Sequence, residues 1–456
     1  PYTTLFRSME EFKDEISDDN MLGTQSNKYP RSAKIIIIVL SVIIFLLLLI
    51  IILALALKKD EGNGGNKEQK DEPKEDKQHQ PTIEEITNFV RKAFCGDIIY
   101  NKTYAEVNDI IENTFRKDGG KNYQELIGDV NGGHNYTAKG YNKYDLYIPY
   151  SVYKTNKTKG IIVFVHGGAW VQGTKEEMTY FAQIYFEHEF VIVNLDYTLL
   201  TDEDNTTNIY RQLDEISACI KDAKKYLISI GLKEDQLQFA IGGGSAGGHL
   251  SLLYGYLIKE KETPLPLRFI NDCVGPVNLE IDDFLLIVKD NDTLPDLEPK
   301  TVENALKTKN YSQTLFNDPY ILSSMNLFIG GKYSKEELNK MLVNGKINKT
   351  NEKYIALFEE AKYGFPINWL KGGNNVPIFA FYGGKDRLIG FVQYARLKEA
   401  VEESIRETGK NIKLELVYSR YGDHGLSEYD HEEGRIAAKD YHYTMLKFCE
   451  EYFVKY

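Results

Sequence analysis

Cysteine is scarce, with four residues in 456, which excludes a small disulfide-dense scaffold. Cys95, Cys219, Cys273 and Cys449 are isolated and widely spaced. Two disulfides in an oxidising compartment and buried free thiols both fit that pattern. No CxxC pair and no Cys/His spacing suited to a metal is present, so no metal site is expected. A cationic excess is missing too. The 55 basic residues against 67 acidic ones leave a net charge of −12, which argues against a dedicated nucleic-acid binder. Neither a collagen pattern nor a repeat of fixed period occurs, and 42% hydrophobic residues exclude a wholly disordered chain.

What is present changes sharply along the chain. Pro1 to Ser8 reads PYTTLFRS, the in-frame translation of a widely used sequencing adapter. A native start at Met9 is expected, and residues 1–8 are set aside as an artefact. Residues 9–34 form a polar tail. Ile35 to Leu57 is then a run of 23 residues without a charge. As a helix rising about 1.5 Å per residue it spans roughly 34 Å, enough to cross a bilayer core. A core helix seldom carries so many Ile and Leu without a polar face. Ala54-Leu55-Ala56 raises the rival of a cleaved signal peptide. The run is longer than an h-region, however, and a polar stretch precedes it, so an uncleaved signal anchor is expected.

Charge barely orients this segment, because Lys28, Arg31 and Lys34 on one side face Lys58 and Lys59 on the other. Glycosylation acceptors help. Asn101, Asn135, Asn156, Asn205, Asn291, Asn310 and Asn348 all head Asn-x-Ser/Thr triplets and all follow the run. The expectation is a cytoplasmic tail and a lumenal or extracellular glycosylated body. Between them, residues 58–80 have almost no apolar side chain and mix both charges, as a flexible solvated linker does.

Residues 81–456 alternate short β-rich runs with longer amphipathic stretches. Strands are expected at Gly160–Val165, Phe190–Leu195, Leu237–Ile241, Arg268–Val274, Val376–Tyr382 and Ile412–Tyr418. Helices are expected at Glu176–Glu187, Tyr210–Ile228, Ala246–Ile258, Phe391–Glu407 and Arg435–Val454. Such alternation predicts a mostly parallel sheet covered on both faces. From about 279 to 373 it lapses into charged, helix-prone sequence, which reads as a cap inserted over the sheet's carboxyl edge.

Two glycine-rich loops carry the chemistry. Gly243-Gly244-Ser245-Ala246-Gly247 lies between an apolar strand and a helical segment. A serine that must expose its hydroxyl needs a sharp strand-to-helix turn flanked by small residues. The next residue then offers a backbone N–H at a helix start, where a developing oxyanion is stabilised. Upstream, directly after a strand, stands His166-Gly167-Gly168-Ala169-Trp170. Consecutive glycines let backbone N–H groups converge on one point. His166 is expected to brace this loop, and His249 to pack on the helix after the serine.

A serine nucleophile needs an imidazole to take its proton and a carboxylate to set the tautomer. In sheet-based hydrolases the acid and then the base follow the serine, each on a loop after a strand. Asp386, in Gly383-Gly384-Lys385-Asp386-Arg387, and His424, in Tyr421-Gly422-Asp423-His424-Gly425, match in order and position. Asp423 is a rival acid, disfavoured because adjacent residues rarely point the same way. His431 and His442 fall in the last helical stretch and read as surface or packing residues.

These motifs resemble the α/β-hydrolase superfamily, specifically the HGG-type esterase/lipase branch with its carboxylesterase, hormone-sensitive-lipase-like, feruloyl-esterase-like and arylformamidase relatives. The resemblance implies an eight-stranded, mostly parallel sheet beginning near Asn135. It implies Ser245 as nucleophile, His424 as base, Asp386 as orienting acid, and an oxyanion hole of the Gly167, Gly168 and Ala246 N–H groups. Ala169 replaces the third glycine of many relatives. Ester hydrolysis through an acyl-enzyme is expected, on a small-molecule substrate, without metal or organic cofactor. Amide hydrolysis on the same triad is the alternative, because fold does not decide substrate. A non-catalytic binding ectodomain is the third reading, and retention of all three triad residues opposes it.

Overall fold

The computed structural model describes residues 95–104, 142–201, 207–258, 263–287, 311–370, 375–390, 392–419, 422–425 and 432–456. The adapter-like start, the tail, the apolar run 35–57 and the linker 58–80 lie outside these residues. So do Asn135, Asn205, Asn291, Asn310 and His431.

Eight strands form one sheet: β1 (Gly96–Thr103), β2 (Lys143–Pro149), β3 (Ile161–Val165), β4 (Val191–Leu195), β5 (Phe239–Gly244), β6 (Leu267–Cys273), β7 (Ile378–Gly383) and β8 (Leu414–Ser419). Their spatial order is β1-β2-β4-β3-β5-β6-β7-β8. Strands β3 to β8 run parallel to one another, while β2 is antiparallel to both β1 and β4. The buried apolar runs of β3 (IIVFV) and β4 (VIVNL) are what a sheet covered on both faces requires.

The sheet begins earlier than the expected start near Asn135. Strand β1 was not legible because only its first half is apolar. A register shift between Ile99 and Lys102 breaks its alternation, with Asn101 at φ 54°. Strand β5 runs three residues beyond its apolar part, because Gly242 and Gly243 continue the ladder opposite Phe164 and Val165.

The helices are α1 (Tyr150–Thr155), α2 (Thr179–Glu187), α3 (Ile209–Ser229), α4 (Ala246–Leu257), α5 (Asp318–Phe328), α6 (Lys335–Lys340), α7 (Glu352–Ala361), α8 (Ile367–Leu370), α9 (Val392–Thr408) and α10 (Glu432–Tyr452). The stretch expected as one helix from Glu176 is a 3-10 turn, Lys175–Met178, followed by α2. Helices α2 and α10 cover one sheet face, where Phe164, Phe379 and Phe381 are fully buried with Tyr185, Tyr441 and Phe448. Burying each such ring stabilises the fold by about 2–3 kcal/mol relative to exposure. Helix α4 packs on β3, β5 and β6. Many of the tyrosines serve as core: Tyr144, Tyr147, Tyr197, Tyr254 and Tyr256 are all at most 1% exposed.

Between β6 and β7 the described residues include a 3-10 turn (Ile281–Asp283), two short antiparallel strand pairs and helices α5 to α8. The root of this stretch is tied to α9. Gln393 Oε1 accepts from the N–H groups of Val277 (2.8 Å) and Asn278 (3.0 Å), and Arg396 Nε donates to Asp283 at 2.9 Å. All four cysteines are free, three buried and Cys95 exposed. Among the described residues no helix is long and apolar enough to cross a membrane, and no group of His, Cys, Asp or Glu is arranged to hold a metal ion.

Candidate active site

Because β3, β5, β7 and β8 are parallel, the loops that leave them all emerge at one edge. Ser245 stands between β5 and α4 with φ 54° and ψ −120°, a backbone conformation costing about 1–3 kcal/mol for a residue with a side chain. Its surroundings hold it there. Ser245 N donates to Cys273 O at 2.8 Å, and His249 N donates to Ser245 O at 3.0 Å. The turn also requires bare backbone beside it: a methyl group on Gly247 would lie 2.0 Å from Val165 O. Ser245 remains partly exposed, and its hydroxyl makes no hydrogen bond among the described residues.

The loop after β3 touches this turn, since a methyl group on Gly167 would lie 3.4 Å from Ser245 Cβ. Gly168, Ala169 and Trp170 follow with φ of 94°, 51° and 66°. Two successive left-handed residues with side chains are uncommon, and ties on several sides hold them. Leu200 N and Gln212 Nε2 both donate to Trp170 O, at 2.9 and 3.2 Å. His166 braces the loop as expected: it is fully buried, its Nδ1 lies 2.8 Å from Gly167 O, and its ring stacks on Tyr197 at 4.1 Å. Burial lowers its pKa to about 4, leaving it neutral.

Asp386, after β7, is fully buried. Its Oδ1 accepts from the N–H groups of Leu388 (2.8 Å) and Ile389 (2.9 Å), and its Oδ2 accepts from His424 Nδ1 at 2.7 Å. The donated Nδ1–H leaves Nε2 as the basic nitrogen. Burial alone would lower the His424 pKa, but the charge and hydrogen bond of Asp386, with Asp423 nearby, outweigh it and raise the value above 6.5. Asp423 accepts instead from Gly425 N at 2.9 Å. The structure thus brings Asp386 and His424 into contact and sets Ser245 against Gly167.

Two further described histidines, His442 and His249, have side-chain partners. His442 lies in α10 with Nδ1 3.0 Å from the Tyr185 hydroxyl. His249 is fully buried in α4, but it is not mere packing: Trp170 Nε1 donates to its Nδ1 at 3.2 Å, and its Nε2 lies 2.8 Å from Gly364 O. Another buried group went unforeseen. Asp272, at the end of β6, accepts from the Tyr382 hydroxyl at 2.6 Å and Gly275 N at 3.0 Å, and burial raises its pKa to about 7. No local motif marks it.

The sequence profile of the BD-FAE family matches residues 144–401, more than half of the chain. Among curated proteins none matches. Several solved esterases are similar at low identity. Esterase B from Lactobacillus rhamnosis is 12% identical, with 80% of this chain and 91% of that one covered at a TM-score of 0.43. A truncated carbohydrate esterase from gut microbiota is 16% identical, with 69% and 95% covered at 0.42. A butyrate-bound esterase of the planctomycete Thermogutta terrifontis is 14% identical, with 76% and 96% covered at 0.43. The chain belongs to the BD-FAE family of carboxylic ester hydrolases, on the esterase/lipase branch of the α/β-hydrolases.

Proposed function

We propose that the chain is a membrane-anchored serine hydrolase that cleaves carboxylic esters of small molecules through an acyl-enzyme. The observation that carries this reading is the 2.7 Å bond between buried Asp386 and His424, at the sheet edge where Ser245 occupies its strained turn.

In this reading His424 Nε2 takes the proton from the Ser245 hydroxyl as Oγ attacks the ester carbonyl carbon. The carbonyl electron pair moves onto oxygen, where the N–H groups of Gly167, Gly168 and Ala246 stabilise it. Each such donor is worth about 3–4 kcal/mol in the transition state. Support comes from their availability: none of these three N–H groups donates a hydrogen bond among the described residues. The intermediate collapses, the carbon–oxygen bond to the alcohol breaks, and His424 returns its proton to the departing alkoxide. Water, deprotonated by His424, attacks the acyl-enzyme in the same manner, releasing the carboxylic acid and restoring the Ser245 hydroxyl. Asp386 accepts from Nδ1 and holds the imidazole in its productive tautomer.

Residues 35–57 are the anchor in this proposal, 9–34 the cytoplasmic tail, 58–80 the linker and 81–456 the hydrolase, with 279–373 as its cap. The body lies in the lumen or outside the cell, where Asn101 and Asn156, both exposed, are open to glycan addition.

A fluorophosphonate probe tests the chemistry. It should label the native protein and fail to label Ser245→Ala, and hydrolysis of short p-nitrophenyl acyl esters should disappear with it. Folded native protein that resists the probe would overturn the proposal in favour of a binding role. Faster turnover of anilides than of matched esters would move the assignment to an amidase.

A further inference from the structure

Trp170 follows the glycines whose N–H groups form the oxyanion hole in the reading above, on which the present inference rests. Trp170 and Ala169 both adopt left-handed backbone angles, φ 66° and 51°. Such a turn persists only where its surroundings over-determine it. The backbone side is tied through Trp170 O, which accepts from Leu200 N and Gln212 Nε2. The side chain has one tie of its own, the 3.2 Å hydrogen bond from its indole N–H to His249 Nδ1.

An indole nitrogen can only donate. His249 Nδ1 must therefore carry no proton, and the ring's single proton sits on Nε2, which donates to Gly364 O at 2.8 Å. Gly364 belongs to the 3-10 turn after α7, in the stretch between β6 and β7. Phe328, the last residue of α5 in that same stretch, packs edge-on against Trp170 at 4.8 Å and lies tilted against His249 at 5.3 Å. His249 is also bonded through its backbone N–H to Ser245 O. One residue thus meets the nucleophile turn through its backbone, and the loop after β3 and the inserted stretch through its neutral imidazole. Burial lowers its pKa to about 3, so the required tautomer survives across the working range of pH.

We infer that His249 is a positioning residue: by accepting from Trp170 and donating to Gly364 it locks the Gly168–Trp170 turn, so that the preceding N–H groups aim at the reacting carbonyl, and it couples their aim to the seating of the insertion. His249 transfers no proton in the reaction. Its contribution is geometric, and misplacement of a donor by about 1 Å can cost on the order of 100-fold in rate.

The test measures kcat and KM for p-nitrophenyl butyrate, with thermal unfolding, for His249→Phe, His249→Asn, Trp170→Phe and the double variant His249→Phe/Trp170→Phe. H249F keeps the ring and removes both bonds. W170F removes the same bond from the other partner and keeps the contact with Phe328. H249N restores an acceptor toward Trp170. kcat is expected to fall at least about 10-fold in W170F and in H249F, with KM within about threefold. H249N should recover part of the loss, and the double variant should cost no more than the worse single one. If H249F fails to fold, W170F decides. Unchanged kcat in folded W170F, or additive losses in the double variant, would overturn the inference while Ser245→Ala still abolishes turnover. Turnover that survives in Ser245→Ala would instead remove the proposed function itself.

Discussion

At the scale of single residues, the Asp386–His424 pair makes the strongest demand. Burial disfavours a charged imidazole, and the facing carboxylate more than reverses that penalty, so the His424 pKa stands above 6.5. The imidazole acts as base only when neutral. Activity is therefore expected to fall as pH drops through this raised pKa, and the acid limb of kcat/KM should have its midpoint above pH 6.5. Asp386→Asn removes the cause of the rise and leaves burial. The midpoint of its residual activity should move to lower pH, and kcat should fall by about 10³- to 10⁴-fold, as when a triad loses its orienting carboxylate. A pH–rate profile of both proteins checks this, and an unmoved midpoint would remove Asp386 from its role. Asp386 and His424 could be picked out from sequence because each follows an apolar strand in the required order. The tautomer of His249 could not. It depends on Trp170, 79 positions away, bringing a donor to one face of the ring.

At the scale of elements, the elbow between β5 and α4 is a crossing point of three backbones. Gly247 sits so close that a methyl group would lie 2.0 Å from Val165 O and 2.7 Å from His166 O, whereas one on Gly244 would meet nothing within 4 Å. Gly247→Ala should therefore destabilise the fold by about 2–3 kcal/mol through overpacking, while Gly244→Ala should shift stability by less than about 1 kcal/mol. Urea unfolding distinguishes them, and equal effects would show that the crowding is not what limits the turn. The apolar cores of β3, β4 and β7 were readable because strands buried on both faces need near-continuous apolar runs. Strand β1 escaped because its outer half is polar and shifts register, and edge strands carry little hydrophobic signal.

At the scale of the whole molecule, the proposed anchor and the hydrolase body answer to different solvents. A 23-residue uncharged run is costly to leave in water and favourable in a bilayer. Residues 1–456 should accordingly stay with the membrane pellet after alkaline carbonate washing and be released only by detergent. A chain begun at Thr87 should remain in the supernatant and still react with the fluorophosphonate probe. Full-length protein in the carbonate supernatant would sink the anchor and leave the chemistry untouched.

Most of the central strands and helices, the order of the glycine-rich, Asp386 and His424 motifs and the membrane-length run were determined by the sequence alone, because each follows from local composition and the period of burial. Which strands lie side by side was decided by tertiary structure. So were the 2.7 Å contact between Asp386 and His424 and the conversion of a plain helix histidine into a link between two loops. Those outcomes depend on angles and on distances of about 3 Å between groups far apart in the chain, and no local pattern encodes a direction in space.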